Sequence, residues 1–287
     1  MRSRVTMTAN ARRLYRKVAL KWGGAARVDR RKLERFVRQH GAAPEGAAPR
    51  EPRVGIVVPC YGHARYLPAA FASIVAQTTP PEHVVFVDDC SADDSYAILE
   101  RLIERASLGA DRFTVVRSNR NVGQCATINR AVELLRADIA MVLNDDDYLM
   151  HDAVERVRWL CAIHPEARLF GAKAVYVYGD EYLANHRKLV TESLLSEELH
   201  VRVSLPADAL AFRTGREIDM CHSGSAFYKA AWREAGGYRR QWSERVIGYA
   251  DRDFQIRVNA LFPIVIVENA AFAFWRVDSS VDQGLFS

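Results

Sequence analysis

From Arg53 onward the chain alternates short apolar runs with longer stretches of helical spacing. Residues 54–58, 84–87, 113–116 and 139–143 are short runs rich in valine and isoleucine, which predicts four strands, the first of them buried. Residues 65–77 place Leu67, Phe71, Ile74 and Val75 at helical intervals, and residues 93–105 do the same with Tyr96, Leu99, Leu102 and Ile103. Residues 123–135 and 152–164 read as two further helices, the second stopped by Pro165. This βαβ alternation predicts an α/β fold whose parallel sheet carries helices on both faces. Beyond a strand at 169–178 the regularity fades. Residues 179–220 are polar, with an apolar patch at Leu194-Leu195 and a turn at Pro206. The pattern then resumes as a strand at 225–228, a helix at 230–235 closed by Gly236-Gly237, a helix at 251–260 and a strand at 264–267.

Charge divides the 287 residues in two. Residues 1–50 carry 14 of the 40 Lys and Arg but only three of the 35 Asp and Glu, a balance of +11, which leaves the other 237 residues at −6. Within the basic tail, Leu14, Val18 and Trp22 recur every four residues among Arg12, Arg13, Arg16, Lys17 and Lys21. That is a basic amphipathic helix suited to an anionic membrane surface, or to docking on the acidic remainder. Residues 41–52 are rich in Ala, Gly and Pro and read as a linker. An acidic globule disfavours nucleic acid as the partner of residues 53–287. Five scattered cysteines without CxxC spacing, no apolar signal core and no spanning run predict a cytoplasmic protein, peripheral at the inner face of the membrane if the tail binds there.

Candidate chemistry sits just past the apolar runs. Polar residues there line the carboxyl edge of the sheet, where open α/β sheets bind ligands. Asp88-Asp89 follows the second run and Asn144-Asp145-Asp146-Asp147 the fourth. Adjacent carboxylates repel one another, and a divalent cation removes that penalty; hard oxygen donors suit Mg²⁺ or Mn²⁺. Either cluster can equally be a helix cap with solvated charges. No GxGxxG or GxxxxGK[ST] motif is present, so a bound nucleotide would need a metal to carry its phosphates. His63, His186, His200 and His222 show no metal-ligand spacing.

The segments Val57-Val58-Pro59-Cys60-Tyr61-Gly62, Val87-Asp88-Asp89-Cys90-Ser91-Ala92-Asp93, Asn121-Val122-Gly123 with Asn129, and Leu143-Asn144-Asp145-Asp146-Asp147 occur in that order. They are followed by Gly224-Ser225-Ala226-Phe227, Gly236-Gly237-Tyr238 and Asp251-Arg252-Asp253-Phe254-Gln255-Ile256-Arg257. Together they resemble the ordered signature of family 2 glycosyltransferases with the GT-A fold. The resemblance implies a Rossmann-like, mostly parallel sheet flanked by helices, with a smaller acceptor-side subregion. On that reading residues 1–52 are the basic tail and linker, 53–150 the nucleotide-sugar half and 151–287 the acceptor half.

What the resemblance implies about chemistry is specific. It implies a nucleotide-diphosphate sugar donor, with UDP or dTDP expected, and Mn²⁺ or Mg²⁺. It implies inverting transfer to a hydroxyl of a saccharide or lipid-linked acceptor in bacterial polysaccharide or glycolipid synthesis. Tyr61 would stack on or flank the base, Asp89 would accept from its N3–H, and Pro59 belongs to the same donor-binding set. Asn121, Gly123, Asn129, Asn144 and Asp145 would contact the donor. Asp146 and Asp147 would hold the metal, and Asp251, at a helix start that favours negative charge, would be the general base. The sequence departs from the family pattern in three places: Asn144 and Ala250 stand where acids are usual, and Asp278 stands where His is usual, which makes Asp278 a candidate third metal contact. Two other classes compete: a nucleotidyltransferase, whose usual Gly/Arg/Lys-rich loop is replaced by Pro59-Cys60-Tyr61-Gly62, and a non-catalytic nucleotide-sugar-binding scaffold.

Overall fold

The computed structural model describes residues 26–40, 51–177 and 199–276. The amphipathic stretch at 11–22, Leu194-Leu195, His186 and Asp278 lie outside them. Eight α-helices and nine strands follow one another in these segments. The first strands are β1 (Val54–Cys60), β2 (Val84–Asp88), β3 (Phe113–Arg117) and β4 (Ile139–Val142), within two residues of the apolar runs. The helices between and after them are α2 (Leu67–Val75), α3 (Ser95–Glu104), α4 (Gln124–Leu134) and α5 (Ala153–Ile163).

One sheet runs β3-β2-β1-β4 and continues through β8 (Ala226–Tyr228), β6 (Leu169–Val177), β9 (Ile264–Arg276) and β5 (Tyr148–Leu149), with β7 (Val201–Ser204) paired on β9. β1 pairs in parallel with β2 and β4, and β2 with β3. Every residue of β1, β2 and β4 is buried, as a sheet covered on both faces requires. Gly55 is needed here: a Cβ would stand 2.7 Å from the His83 carbonyl oxygen and 2.8 Å from Leu135 Cδ1. Pro59 is tolerated in a central strand because its nitrogen points toward β4, and β4 ends at Val142 opposite Val57.

The second half of the sheet is mixed. β6 (Leu169–Val177) lies parallel to β9 (Ile264–Arg276), while β8 (Ala226–Tyr228), β5 (Tyr148–Leu149) and β7 (Val201–Ser204) pair antiparallel with their neighbours. The helices α6 (Pro206–Ala211), α7 (Lys229–Glu234) and α8 (Ala250–Leu261) complete this half. β5, β7 and α6 have too few residues to register as periodicity. β9 runs far past the expected 264–267 because Glu268 and Asn269 interrupt an apolar run that resumes at Ala270.

The described part of the basic N-terminal segment packs on this globule. Helix α1 (Arg30–His40) buries Leu33 and Phe36 in the common core. The Val28 N–H donates to the Arg213 carbonyl at 2.9 Å and the Asp29 N–H to the Val246 carbonyl at 2.6 Å. The Phe36 ring lies 5.2 Å from the Arg239 guanidinium and 5.8 Å from that of Arg257. Among the described residues no helix is long and apolar enough to cross a membrane.

Candidate active site

The carboxyl ends of β1, β2 and β4 meet at one edge of the sheet, and each carries an acid-bearing turn. After β2, Asp89 is buried, and its two carboxylate oxygens accept the Val122 N–H at 2.8 Å and the Gly123 N–H at 2.7 Å. Gly123 has φ +85°, a left-handed conformation that favours glycine and lets α4 begin beside this carboxylate. Asn121 stands exposed at the mouth of the same loop. Cys90 also has positive φ (63°), an uncommon strain for a residue with a Cβ, which turns the chain so that Ser91 Oγ accepts the Gly62 N–H at 3.0 Å. The chain after β1 thus comes to rest against the chain after β2, leaving Tyr61 exposed.

The turn after β4 sorts its three acids into different tasks. Asp145 accepts the Tyr61 N–H at 2.9 Å and lies 2.8 Å from His63 Nδ1, so it ties the turn to the end of β1. Burial pushes its pKa up to about 6 even though the His63 hydrogen bond and charge oppose the rise. Asp147 turns inward: it accepts from Ser223 Oγ at 2.5 Å, the Arg276 N–H at 2.8 Å and Asn144 Nδ2 at 3.4 Å. Burial, reinforced by the Asp146 charge, drives its pKa well above the carboxylate range. Asp147, expected to hold the metal, has its oxygens engaged by the protein beneath the turn and lies outside the group that His63, Asp145 and Asp146 form. Asp146 is the acid whose carboxylate has no hydrogen bond among the described residues, while its main-chain oxygen accepts from Arg276 Nε at 3.1 Å. Arg276 is buried, with its guanidinium 4.0 Å from the Tyr66 ring, so the last residue of β9 props the acidic turn from below.

Ligand atoms of His63, Asp145 and Asp146 all lie within 4.8 Å of one another. Two carboxylates and one imidazole on a polar edge fit a divalent cation such as Mn²⁺ or Mg²⁺. His63 was not expected in this group. The signal for it was its position three residues past the end of a strand, and spacing rules for metal motifs do not look there. Asn144 stands at the edge of the group, with its N–H donating to Ser223 Oγ at 3.1 Å and its Oδ1 accepting from Gln124 at 3.3 Å. Ser223 and Arg276 were also missed, because residues that hold a functional turn carry no motif of their own.

Asn129 is engaged by the protein as well. Its amide donates to the Tyr238 carbonyl at 2.9 Å and accepts from the Trp232 indole at 3.0 Å and the Tyr238 N–H at 2.9 Å. It holds the Gly236-Gly237 turn, where a Cβ on Gly237 would come within 2.8 Å of Asn129 Oδ1. Its amide thus has a structural role beside the donor contact expected of it. Asn129→Ala should cost about 1–3 kcal/mol of stability, read from the denaturation midpoint, because two donors and an acceptor lose their partner.

On the acceptor side, Asp251 and Asp253 open α8. Asp253 is fully buried, accepts the Val246 N–H at 2.7 Å and pairs with Arg257 at 2.7 Å. Asp251 is partly exposed, and its carboxylate has no hydrogen bond among the described residues. Its charge acts on His222 and Tyr238, whose Nε2 and hydroxyl share a hydrogen bond of 3.2 Å. Burial lowers the His222 pKa, with Asp251 opposing, so this imidazole is neutral near pH 7.

Comparison with known proteins gives the site its context. The pattern of the family described as Glycosyl transferase family 2 matches residues 55–235. An undecaprenyl-phosphate 4-deoxy-4-formamido-L-arabinose transferase of Pseudomonas syringae is 38% identical over 96 residues, which is 32% of this chain and 28% of that protein. The match therefore spans under a third of that relative's length. Among solved structures, Staphylococcus aureus TarS 1-349 in complex with UDP-GlcNAc superposes with a TM-score of 0.61 at 17% identity, over 79% of this chain and 59% of that one. The Pyrobaculum calidifontis mannosyltransferase PcManGT, in complex with GDP-Man and Mn²⁺, gives 0.51 at 18% identity, over 90% and 68%. Likeness at these identities extends to the fold.

Proposed function

From the premise that this chain belongs to glycosyl transferase family 2, we propose that it is a metal-dependent, inverting glycosyltransferase. It moves a sugar from a nucleotide-diphosphate donor, UDP- or dTDP-linked, to a hydroxyl of a saccharide or lipid-linked acceptor in polysaccharide or glycolipid synthesis. The observation that carries this reading is the division of labour among the acids. Asp89, Asp147 and Asp253 are engaged by the protein, while Asp146 and Asp251 are left with free carboxylates on the two sides of the site. The Mn²⁺ bound by one structural neighbour and the nucleotide sugars bound by two favour the same assignment.

In this mechanism Asp146, with Asp145 and His63, would hold the cation, which supplies positive charge for the leaving diphosphate. Tyr61 flanks the base, and Asp89 accepts from it through the lone pairs its loop contacts leave over. Asp251 takes the proton of the attacking acceptor hydroxyl. His222, neutral and hydrogen-bonded to Tyr238, presents a dipole beside that carboxylate without a competing charge.

A thermal-shift series with UDP- and dTDP-sugars tests the reading, since a ligand that binds the native state raises the midpoint. The shift should need Mn²⁺ or Mg²⁺, and Asp146→Ala should abolish the metal-dependent part. The metal-dependent part should also grow as pH rises through about 6, because a cation must displace the proton that Asp145 holds below that value. The sign for the metal-free fold is opposite: a carboxylate whose folded pKa is raised loses its stabilising proton over the same rise. Equal shifts with metal and with chelator would reject the metal assignment.

A further inference from the structure

Helix α1 is fastened to the globule on one side only. Leu33 and Phe36 are buried, Lys32 Nζ donates to the Arg245 carbonyl at 3.3 Å, and residue Arg27 bridges to Thr214. The opposite side carries Arg31, Arg35 and Arg38, all exposed. Spaced at i, i+4 and i+7, they form one stripe along the helix. Among the described residues none of the three has a carboxylate partner, whereas neighbouring Arg30 is tied to Glu34 at 3.0 Å. At the start of the same helix, Ala26, Arg27, Asp29 and Lys32 share a cavity of about 340 Å³ with Trp242 and residues 245–249. Trp242 lines it and is 73% exposed, the most exposed large apolar side chain among the described residues.

The location of this face relative to the proposed base is set by three contacts. Asp29 reaches Val246, Lys32 reaches Arg245 and Phe36 reaches Arg257. α1 therefore lies along α8, with its N-terminal end at the end of α8 that bears Asp251. Deepening the function proposed above, and resting on it for the role of Asp251, we infer that the Arg31-Arg35-Arg38 stripe with Trp242 is a docking face for an anionic phospholipid bilayer. It holds the acceptor side of the site about one helix diameter, roughly 10 Å, from the headgroups.

Charge complementarity and chain continuity select this partner. A row of arginines without carboxylate partners attracts anionic headgroups, and an exposed indole near the start of the same helix is a side chain that favours the boundary between headgroups and acyl chains. The sequence ahead of α1 adds Arg12, Arg13, Arg16, Lys17 and Lys21. Unlike a flexible basic tail, a helix pinned through its core fixes the orientation of the globule on the surface.

The test uses the full chain with vesicles of phosphatidylcholine alone and of phosphatidylcholine with phosphatidylglycerol. Binding is expected only to the second, and to weaken with salt. Arg31→Gln/Arg35→Gln/Arg38→Gln should lower the vesicle partition coefficient roughly 100-fold. Its thermal midpoint and its nucleotide-induced thermal shift should stay native, because the three side chains are exposed and away from the acids. Trp242→Ala should lower partitioning further and remove a change in tryptophan emission on vesicle addition. Native partitioning by the folded triple variant, or no binding of the native chain to anionic vesicles, would overturn the docking face. A native nucleotide-induced shift in the same samples leaves the glycosyltransferase reading standing, so the two fail separately.

Discussion

Replacing Asp251 by Asn is expected to leave donor binding near native while lowering transfer by about 10²–10⁴-fold. The substitution keeps size and shape at a partly exposed position with no side-chain hydrogen bond among the described residues, so the fold should lose no more than the small helix-end stabilisation of the charge. What disappears is the carboxylate proposed as the base, and among the described residues two neighbours could be asked to replace it. Asp253, two residues on, cannot substitute: it is fully buried and occupied by Arg257 and the Val246 N–H. His222 cannot either without moving, since its Nε2 is engaged with Tyr238. The measurement is nucleoside diphosphate released in the presence of acceptor, alongside the nucleotide-induced thermal shift of the same samples. A loss confined to turnover identifies a base, and a loss of both would point to a donor contact. Near-native turnover would remove Asp251 from the mechanism.

How much of this was legible beforehand depends on what each residue's neighbours are in sequence. The runs that became β1, β2 and β4 were readable because a strand buried on both faces needs an unbroken apolar run, and turn residues bound it. Position followed from there: an acid directly after such a strand must lie at the sheet edge, so Asp89 and Asp145-Asp146-Asp147 were found as a group. Which of them is free was not legible. In the Asn144–Asp147 turn the period of two breaks down, and the outcome is decided by Ser223 and Arg276, residues 76 and 129 positions away. The structural role of Asn129 was hidden for the same reason, because its partners Trp232 and Tyr238 belong to the other half of the chain. β5, β7 and α6 are shaped by pairing and packing against α8 and β9, and local pattern says little about them. α1 was hidden by its charge: eight of its eleven residues are polar, and only Leu33, Phe36 and Val37 betray a buried side.

Asp253→Ala is expected to destabilise the fold by about 3–5 kcal/mol, because it leaves the Arg257 guanidinium in the core without its counter-charge. Both side chains are fully buried. Burial already pulls the Arg257 pKa below its ordinary value, with Asp253 the main opposing influence. Arg257 keeps hydrogen bonds to the carbonyls of Ala235 and Gly237, which prevent a bare charge but do not neutralise it. The pair also holds the site together at a distance. Asp253 fixes Val246, whose carbonyl receives α1, and Arg257 fixes the Gly236-Gly237 turn that Asn129 grips from the other side. Breaking the pair should therefore loosen the loop ahead of Asp251 as well as lower the midpoint, seen as faster amide exchange over residues 242–250. Replacing both residues with apolar groups, Asp253→Leu with Arg257→Met, removes the stranded charge and should recover most of the stability. It should not recover order around Gly237, since the carbonyls of Ala235 and Gly237 lose their donor. A double variant as unstable as Asp253→Ala would mean that the hydrogen bonds of Arg257, rather than the charge pairing, hold this end of α8.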